Sequence, residues 1–450
     1  MRKIQTIYGI LVSAVCMMVI HVQAQNPKAK SGTFALTNAT IETVTKGTIN
    51  GTVVISNGKI TAVGSNITIP AGAEVINCSG MRIYPGMIDS GTKIGLLEVG
   101  AIPQASDERE NGELIPQMKA LTAVNPNSTM IPVTRISGVT TAITYPEGGL
   151  VPGTAALINL FGYTPDQMYA GFEGVVVNFP NTGRRGNFDR RSDDDIKKAV
   201  EKSLKQLNDL WDKAVQYHKL DSATKGKGVT YYPEMIAMVP VVRGAVPLLI
   251  EVNTQKDIQS ALKWVKEKKV KKVVFTGVAE GWREAENIAK ANIPVITGPV
   301  IGLPTRSSDK YDAAYANASM MKTAGVKVAL RSNDDGNGNY RNLPYHAGFA
   351  ATYGMTREDA LKAITIVPAE MFGVGDKLGS IEVGKVANLF VCNGDIFETK
   401  TQVSHVFISG FQIPMQSRQT LLYDEFLKRE PGVVEKKEEI KGGKIDVGKN

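Results

Sequence analysis

Asp89, Gly91 and Lys93 are the first residues in the chain whose types and spacing suggest chemistry. They occupy alternating positions directly after the apolar run at residues 84–88. Alternate side chains of a β-strand project from the same face, so a strand here would present all three on one side. We therefore expect a functional site on that side of the strand.

The stretch resembles the first barrel strand of the metal-dependent amidohydrolases, which reads Pro-Gly-x-Ile-Asp-x-His-x-His. In that family the two histidines bind the catalytic metal, because neighbouring inward imidazoles can hold a divalent cation and leave positions open for water. Here the two histidine positions read Gly91 and Lys93. The family frame is present, but these two ligands are absent.

The resemblance extends over residues 33–412 and points to the exported, imidazolonepropionase-like branch of the family. Positions at which the family carries further histidine ligands read Asn253 and Thr276, and the position of its water-activating aspartate reads Asn333. Asp334 follows one residue later, so an alignment shifted by one position would restore that aspartate. The degenerate metal-ligand positions that the resemblance implies are Gly91, Lys93, Asn253, Thr276 and Asn333.

The number and spacing of possible metal ligands also argue against a metal site, independently of the family resemblance. A zinc-type site needs three or four His, Cys or carboxylate ligands that converge from fixed elements. The chain has four histidines, one of them near the N-terminus, and the other three are not spaced as pairs. We expect His218 on a solvated helix, His405 on an outer sheet face, and His346 either in loop packing or at the barrel mouth. We predict no cofactor, with zinc or another divalent metal as the alternative.

Lys93 is the most informative replacement. An inward ammonium near a barrel centre is costly unless it is paired, and Asp89, Glu251 and Asp334 are possible partners. We expect Lys93 to take the place of the metal and to neutralise these carboxylates. The alternative is an amine nucleophile, because a buried lysine can have a lowered pKa. The candidate catalytic residues are Asp334, Lys93 and His346, and the candidate pocket residues are Asp89, Glu251, Arg331, Asp334 and Asp335.

Composition indicates a globular chain with an N-terminal leader. The chain has 450 residues, of which 43% are apolar and 21% charged, an ordinary balance for a protein with a large core. Arg2 and Lys3 precede an apolar run and a small-residue cleavage site after Ala24, which predicts a signal peptide at residues 1–24. A membrane anchor is the alternative, but the run is short for spanning a bilayer. We expect an exported protein, periplasmic or extracellular, that is free of the membrane after cleavage.

The net charge bears on nucleic-acid binding, and the cysteine content bears on disulfide formation. Removal of Arg2 and Lys3 lowers the formal charge from +8 to +6, and the remaining excess is spread through lysine-rich helices, so we expect no nucleic-acid partner. Cys78 and Cys392 remain in the mature chain. They could form a disulfide in an oxidising compartment or stay as buried thiols.

Two sets of short strands flank a longer alternating segment. Residues 33–84 and 375–415 read as strands separated by Gly, Asn and Pro, with Asn57-Gly58 as a hairpin turn. Residues 85–374 alternate strand-like and helical runs, the order expected of a parallel β/α architecture. We predict an α/β fold in which a (β/α)8 TIM barrel carries a small β-sandwich built from both ends of the chain.

The sequence also predicts an insertion in the barrel, a C-terminal tail and the individual barrel strands. Residues 178–230 contain a Gly/Arg/Asn-rich stretch and a charged helical pattern, and we predict an insertion over the barrel mouth. Residues 429–450 are dominated by Lys, Glu and Gly and are predicted to be a disordered tail. Beyond the first strand, the predicted barrel strands are residues 137–144, 246–253, 273–276, 294–296 and 327–330.

Three functions are consistent with these residues. The leading expectation is an exported amidohydrolase homologue without its metal site, acting as a binding or partner subunit in a homo-oligomer or with an intact relative. The alternative is an active hydrolase of carbon–nitrogen bonds in amides or cyclic amides, with reorganised ligands Asp89, Asp334, Asp335 and His346. A third function, which overlaps the first, is solute binding at a barrel mouth lined by Lys93, Asn253, Arg331 and Asp334.

Overall fold

The structure, a computed structural model, describes most of the chain between the predicted leader and the predicted tail. The described residues are 28–100, 102–183, 189–224, 229–333 and 339–429. The predicted signal peptide and all of the predicted tail except Arg429 lie outside them. Asp334 and Asp335 also lie outside the described residues.

The described strands belong to two sheets, the first made by β1–β5 with β14–β16 and the second by β6–β13. In chain order the strands are β1 (Phe34–Glu42), β2 (Thr48–Ser56), β3 (Lys59–Gly64), β4 (Glu74–Asn77), β5 (Arg82–Pro85), β6 (Met87–Thr92), β7 (Val139–Thr144), β8 (Gly153–Asn159), β9 (Tyr169–Asn178), β10 (Leu248–Val252), β11 (Val273–Gly277), β12 (Val295–Thr297), β13 (Val328–Leu330), β14 (Leu389–Cys392), β15 (Val403–Ile408) and β16 (Phe411–Ile413).

Helices cover the barrel and extend from its ends. In chain order they are α1 (Ala120–Ala123), α2 (Met130–Arg135), α3 (Pro165–Met168), α4 (Asp193–Thr224), α5 (Pro233–Arg243), α6 (Gln255–Glu267), α7 (Ala285–Lys290), α8 (Ala313–Thr323), α9 (Leu343–Thr352), α10 (Arg357–Lys362), α11 (Ile366–Met371) and α12 (Arg418–Leu427). None of the helices in the described part of the chain combines the length and the apolar character needed to cross a bilayer.

The first sheet joins the two ends of the chain, as predicted. Its order is β16-β15-β14-β5-β1-β2-β3, and β4 pairs with β1. β5 meets β14 in antiparallel register with Tyr84 opposite Phe390, and their rings stack at a centroid distance of 5.5 Å. Asn57 and Gly58 both have positive φ, +51° and +78°, which is the geometry of the predicted hairpin turn between β2 and β3.

The second sheet is the barrel, and the predicted (β/α)8 fold is confirmed. Its strands follow in sequence order from β6 to β13, and the Asn333 amide donates to the Gly91 carbonyl at 3.1 Å across the closing seam. One strand, β8, runs antiparallel to both neighbours. Only the short segment 145–152 connects β7 to β8, and a connection of that length allows a hairpin but no parallel crossover.

The interior of the barrel is apolar in the middle of its strands and polar toward the carboxyl ends of the parallel strands. Strand residues that face the axis form one buried cluster, which includes Ile88, Ile143, Val176, Leu249, Val274, Ile296 and Ala329. Side chains two positions further along a strand face the same way, closer to its carboxyl end. Four of the seven positions read Tyr145, Glu251, Thr276 and Arg331, so polar groups gather at the mouth, where barrels of this type carry their sites.

The predicted insertion contributes helix α4 beside this mouth. Its middle packs against the outer helix α6, because the Trp211 and Trp264 rings meet edge to face at 5.8 Å. The Trp264 indole donates to Asn208 at 3.0 Å. Three residues near the start of α4, Ala199, Val200 and Ser203, line the cleft above the polar layer.

Candidate functional site

A buried ion pair between Arg331 and Glu251 occupies the centre of the barrel mouth. Arg331 follows β13 and Glu251 lies on β10. The guanidinium binds the carboxylate in bidentate fashion, with Nη1 donating to Oε2 at 2.8 Å and Nη2 to Oε1 at 2.9 Å. The Arg331 side chain is only 6% exposed, so the pair is a fixed part of the barrel.

Neighbouring polar groups complete the shell around Glu251. Thr276 donates to Oε2 at 2.6 Å, and the Asn253 amide donates to Oε1 at 3.1 Å. Burial alone would raise the pKa of Glu251, but the Arg331 charge and these hydrogen bonds outweigh it and lower the pKa to about 2. Gly277 keeps this space open: its φ is +81°, and a Cβ there would lie 2.4 Å from Glu251 Oε1.

Gly91 gives the Arg331 side chain its room. A Cβ on Gly91 would lie 2.7 Å from Arg331 Cδ and 3.4 Å from a ring carbon of Tyr145. Real Cβ atoms do not approach other carbons as closely as 2.7 Å, so any larger residue would displace the guanidinium stem. The missing side chain at Gly91 and the long cation at Arg331 are therefore complementary.

Lys93 contacts a carboxylate that was not among its expected partners. It lies just beyond the end of β6, and its Nζ contacts Glu147 Oε2 at 2.7 Å. Arg109 Nη2 shares that oxygen at 3.1 Å. Of the expected partners, Glu251 is bound by Arg331 and the Asp89 carboxylate accepts backbone N–H groups. Asp334 lies outside the described residues, so its pairing with Lys93 stays a prediction.

Asp89 and Gly91 also depart from the simple alternation predicted for their strand. The pairing of β6 with β7 is irregular on both sides of Ile88 and Asp89, so strict alternation of faces fails there. Gly91 faces the barrel axis, whereas Asp89 Oδ1 accepts from the backbone N–H groups of Gly91 and Ser332 at 3.2 and 3.1 Å. Asp89 thus joins β6 to the end of β13.

Asp89 is fully buried beside Arg331, and burial dominates its chemistry. Burial raises the pKa of Asp89 to about 7, although the hydrogen bonds from Ser332 and Gly91 and the charge of Arg331 act in the opposite direction. Within the described part of the chain, three buried oxygens around this point have no hydrogen-bond partner: Asp89 Oδ2, Ser332 Oγ and Tyr145 Oη. Burial also raises the pKa of Tyr145.

Among the degenerate positions, Thr276 and Asn253 belong to the central cluster, whereas Asn333 does not. Asn333 has a left-handed backbone, with φ +47°, and its side chain is exposed. Its recorded role is the backbone hydrogen bond that closes the barrel seam. Asp334 and Asp335, the acidic candidates that follow it, lie outside the described residues.

None of the three histidines in the described residues joins this cluster. His346 is buried on α9, and its Nδ1 accepts the Ile301 N–H at 3.2 Å; burial lowers its pKa to about 4. His346 therefore has the loop-packing role that the sequence left open. His218 contacts Ser222 one turn further along α4, and His405 contacts Gln412 within the first sheet. Cys78 and Cys392 are buried free thiols.

A cleft of about 540 Å³ lies above the ion pair. Glu251 and Asn253 form part of its floor, and Arg109, Glu147 and Arg191 contribute charged groups to its walls. Asn178 fixes one wall, because its amide donates to the Gly148 and Gly149 carbonyls at 2.9 and 2.8 Å. The lining is polar and contains both signs of charge, so it suits a polar ligand with donors and acceptors.

Three further residues contribute to this mouth and were not among the candidate site residues from the sequence, namely Arg109, Tyr145 and Glu147. Glu147 adjoins two glycines after β7, at the carboxyl end of a strand where such barrels place functional side chains. This position after a strand was the feature of the sequence that could have identified Glu147 as a site residue. Arg109 lies in a long irregular segment with no periodic pattern to predict its location.

The donor set at the mouth can be compared with the needs of a metal ion. Within residues 28–100, 102–183, 189–224, 229–333 and 339–429, no three His, Cys, Asp or Glu side chains come together in a group that could hold one. The cation among the described residues at the centre is the Arg331 guanidinium, and it is already bound to the nearest carboxylate.

Comparison with known proteins places this architecture in a family. A model of the amidohydrolase family matches residues 83–413. A solved amidohydrolase from Thermotoga maritima superposes with a TM-score of 0.75 at 26% identity, covering 85% of this chain and 100% of that one.

Two relatives match over a shorter region. An imidazolonepropionase from Porphyromonas gingivalis is 42% identical over 81 residues, and one from Shouchella clausii is 38% identical over 86 residues. Each match covers 18–19% of this chain and 19% of the relative, so the chain spans about a fifth of the length of these enzymes. The match over residues 83–413 and the fold together give the conclusion that the Pro-Gly-x-Ile-Asp frame predicted: the chain belongs to the amidohydrolase family.

Proposed function

We propose that this amidohydrolase-family protein works without a metal ion and holds a ligand or a partner at the mouth of its barrel. The observation that carries the proposal is the bidentate Arg331–Glu251 pair at the barrel axis. A guanidinium in this position supplies positive charge in the interior without any exchangeable coordination site for water.

The described residues do not fit a divalent metal. A catalytic metal needs about three protein ligands and an open position for water. The centre of this mouth instead offers two carboxylates among the described residues. Glu251 already accepts hydrogen bonds from Arg331, Thr276 and Asn253, and Asp89 accepts two backbone N–H groups. A metal ion there would be repelled by the guanidinium and would have to displace it from Glu251.

The first experiment measures metal content by mass spectrometry on mature protein that has been purified without chelators and incubated with zinc and manganese. We expect far less than one equivalent and an unchanged melting temperature in a chelator. Metal bound at one equivalent, and lost in the Asp334→Ala variant, would overturn the proposal.

Ligand binding at the mouth needs a separate readout. Amides, cyclic amides and short peptides, added in turn, should include compounds that raise the melting temperature, since a ligand that binds only the folded state stabilises it. The same compounds should remain chemically unchanged after long incubation. The Glu147→Gln variant, which alters one wall of the cleft, should weaken this thermal shift.

A hydrolase with a reorganised metal site is the second candidate. The matched relatives favour it, because the proteins from Porphyromonas gingivalis and Shouchella clausii are named as enzymes. Its ligands would be Asp89, Asp334, Asp335 and His346, and its substrates would contain amide or cyclic amide bonds. The Nδ1 atom of His346 already accepts a backbone N–H, so only its other ring nitrogen could bind a metal.

Export is part of the same proposal. The positive, apolar and small-residue segments at residues 1–24 support it. Sequencing of the N-terminus of protein recovered outside the cytoplasm should give Gln25 as the first residue. An N-terminus that retains Met1 on membrane-bound protein would contradict cleavage.

A further inference from the structure

Helix α12, at the end of the described chain, contacts the rest of the molecule at α2 and leaves most of its surface exposed. None of its ten residues is buried. Its five large apolar residues, Leu421, Leu422, Tyr423, Phe426 and Leu427, are between 46% and 62% exposed. Apolar residues clustered in this way on a surface mark an interaction site more often than bare solvent-facing surface.

The local sequence nevertheless specifies this helix. Ser417 and Thr420 form a reciprocal capping box at its start. A helix of this length is marginal in water without packing, since isolated helices need about 12–15 residues or more to persist. Cover for its apolar face would therefore stabilise the helix.

The apolar face is continuous along one side of the helix. Leu422 and Phe426 are four residues apart, as are Tyr423 and Leu427, so the two pairs form adjacent rows. Arg418 and Glu425 lie seven residues apart, or about two turns, along one edge of this face. One end of that edge is therefore positive and the other is negative.

We propose that α12 is covered by α12 of a second copy of this chain, packed antiparallel about a two-fold axis near Leu421 and Leu422. In that arrangement Arg418 of each copy faces Glu425 of the other, because a two-fold interface is self-complementary. The interaction pairs the positive end of one helix edge with the negative end of the other. It also buries both apolar faces against each other.

The groups required for this pairing are available. Within the part of the chain that the structure describes, Arg418 has no ion pair, and Glu425 contacts Arg429 at 3.5 Å. Both members of that contact are more than 60% exposed, and such surface pairs contribute little, so Glu425 can exchange its partner at small cost.

The size of the helix sets the strength of the association. A helix of ten residues is about 15 Å long, which is less than the width of a standard protein interface. We therefore expect a dimer in equilibrium with monomer at micromolar concentrations, with α12 at the centre of the contact. The inference does not depend on how the barrel mouth functions.

Sedimentation velocity on the mature full-length chain, across a dilution series from low to high micromolar concentration, tests the proposal. We expect Arg418→Glu and Glu425→Arg each to weaken dimerisation by about tenfold or more, because each places like charges opposite each other. The Arg418→Glu/Glu425→Arg double variant should dimerise like the wild type. An equimolar mixture of the two single variants should form a heterodimer.

Two further variants separate this contact from general surface effects. Phe426→Glu should abolish the dimer, whereas Leu303→Glu should leave it intact, because Leu303 is 90% exposed in the loop after β12 and is not part of the helix. A wild-type chain that stays monomeric at every concentration would overturn the proposal and would leave another part of the chain, or another protein, as the cover. A dimer that ignores the charge exchange would overturn the antiparallel arrangement.

Discussion

The Arg331–Glu251 pair and the Lys93–Glu147 pair join the same kinds of charge at two levels of the barrel mouth. At the axis the guanidinium makes two parallel hydrogen bonds and is 6% exposed. At the wall of the cleft the ammonium is 17% exposed and contacts a carboxylate that is 38% exposed and shared with Arg109. The Arg331 guanidinium is a fixed part of the interior, and its partner Glu251, 28% exposed, faces the floor of the cleft. The second pair faces the wall of the cleft and is more exposed at both groups.

The difference shows that a cation inside a barrel is placed by the space available to it. A lysine beyond the end of β6 can reach the cleft wall, where water still reaches the carboxylate. The axis is occupied by an arginine from the opposite side of the seam, because only Gly91 leaves room for its stem. The following changes test the contrast between the two levels.

The largest expected effect is at the axis. Glu251→Ala leaves the buried Arg331 guanidinium without its carboxylate, and breaking a buried pair in this way costs about 3–5 kcal/mol. Denaturant unfolding should show this loss in the free energy of unfolding. The Arg331→Met/Glu251→Leu double variant should be much closer to the wild type, since it removes both charges. A loss below about 1 kcal/mol for Glu251→Ala would show that the pair is not a buried structural contact.

Asp89 adds a pH-dependent effect at the same level. Its pKa is about 7 in the folded protein and close to 4 in an unfolded chain. The folded state therefore holds the proton more tightly, so the contribution of Asp89 to stability is greatest below pH 4 and declines as the pH rises to 7. The decline amounts to about 4 kcal/mol by the usual conversion.

The Asp89→Asn variant isolates this contribution. Its asparagine oxygen can accept the same two backbone N–H groups, and it cannot ionise. The difference between wild type and variant in the free energy of unfolding should change between pH 4 and 7 and be flat above. His346 has the opposite dependence, because its pKa is lowered, but it is present in both proteins and cancels. A constant difference across this range would contradict the pKa of Asp89.

A smaller loss is expected from filling the space at Gly91. Gly91→Ala places a methyl group against Arg331 Cδ, and overpacking of this kind costs about 1–3 kcal/mol. In an Arg331→Ala background the same change should be nearly neutral, because the clashing stem is gone. Thermal unfolding of the four proteins of this cycle measures the coupling. Equal costs in both backgrounds would show that the residues at positions 91 and 331 do not interact.

The smallest effect belongs to the cleft wall. Lys93→Gln should lower the free energy of unfolding by less than about 1 kcal/mol, because partly exposed pairs contribute little and Arg109 still contacts Glu147. Its effect should appear in ligand-induced thermal shifts. A loss as large as that of Glu251→Ala would remove the distinction between the two levels.

Much of the fold follows from the sequence. The Pro-Gly-x-Ile-Asp frame, the β/α alternation and the Asn57-Gly58 turn predict the barrel, the two-ended sheet and one of its hairpins. Strands β8 and β9 were not assigned, although β8 is buried along almost its whole length. A strand that is buried on both faces lacks an alternating pattern, so its sequence does not reveal that it runs antiparallel.

Some residues of the site could be predicted from the sequence, but the contacts between them could not. Glu251 and Arg331 were both expected in the pocket, and their contact was not. The contact depends on an absent side chain at Gly91 and on residues 80 positions apart in the chain. The spacing of residues within one strand carries no information on either point. Lys93, the cation that follows the first barrel strand, was therefore expected to be the partner.

The pairing of β5 with β14 has a consequence for synthesis. The two strands belong to one sheet, but about 300 residues separate Pro85 from Leu389, and a ribosome needs roughly 15–60 s to add them at 5–20 residues per second. During that interval the edge of β5 that β14 will cover remains open to other chains. A newly made molecule therefore depends on protection of its first strands until its last strands arrive.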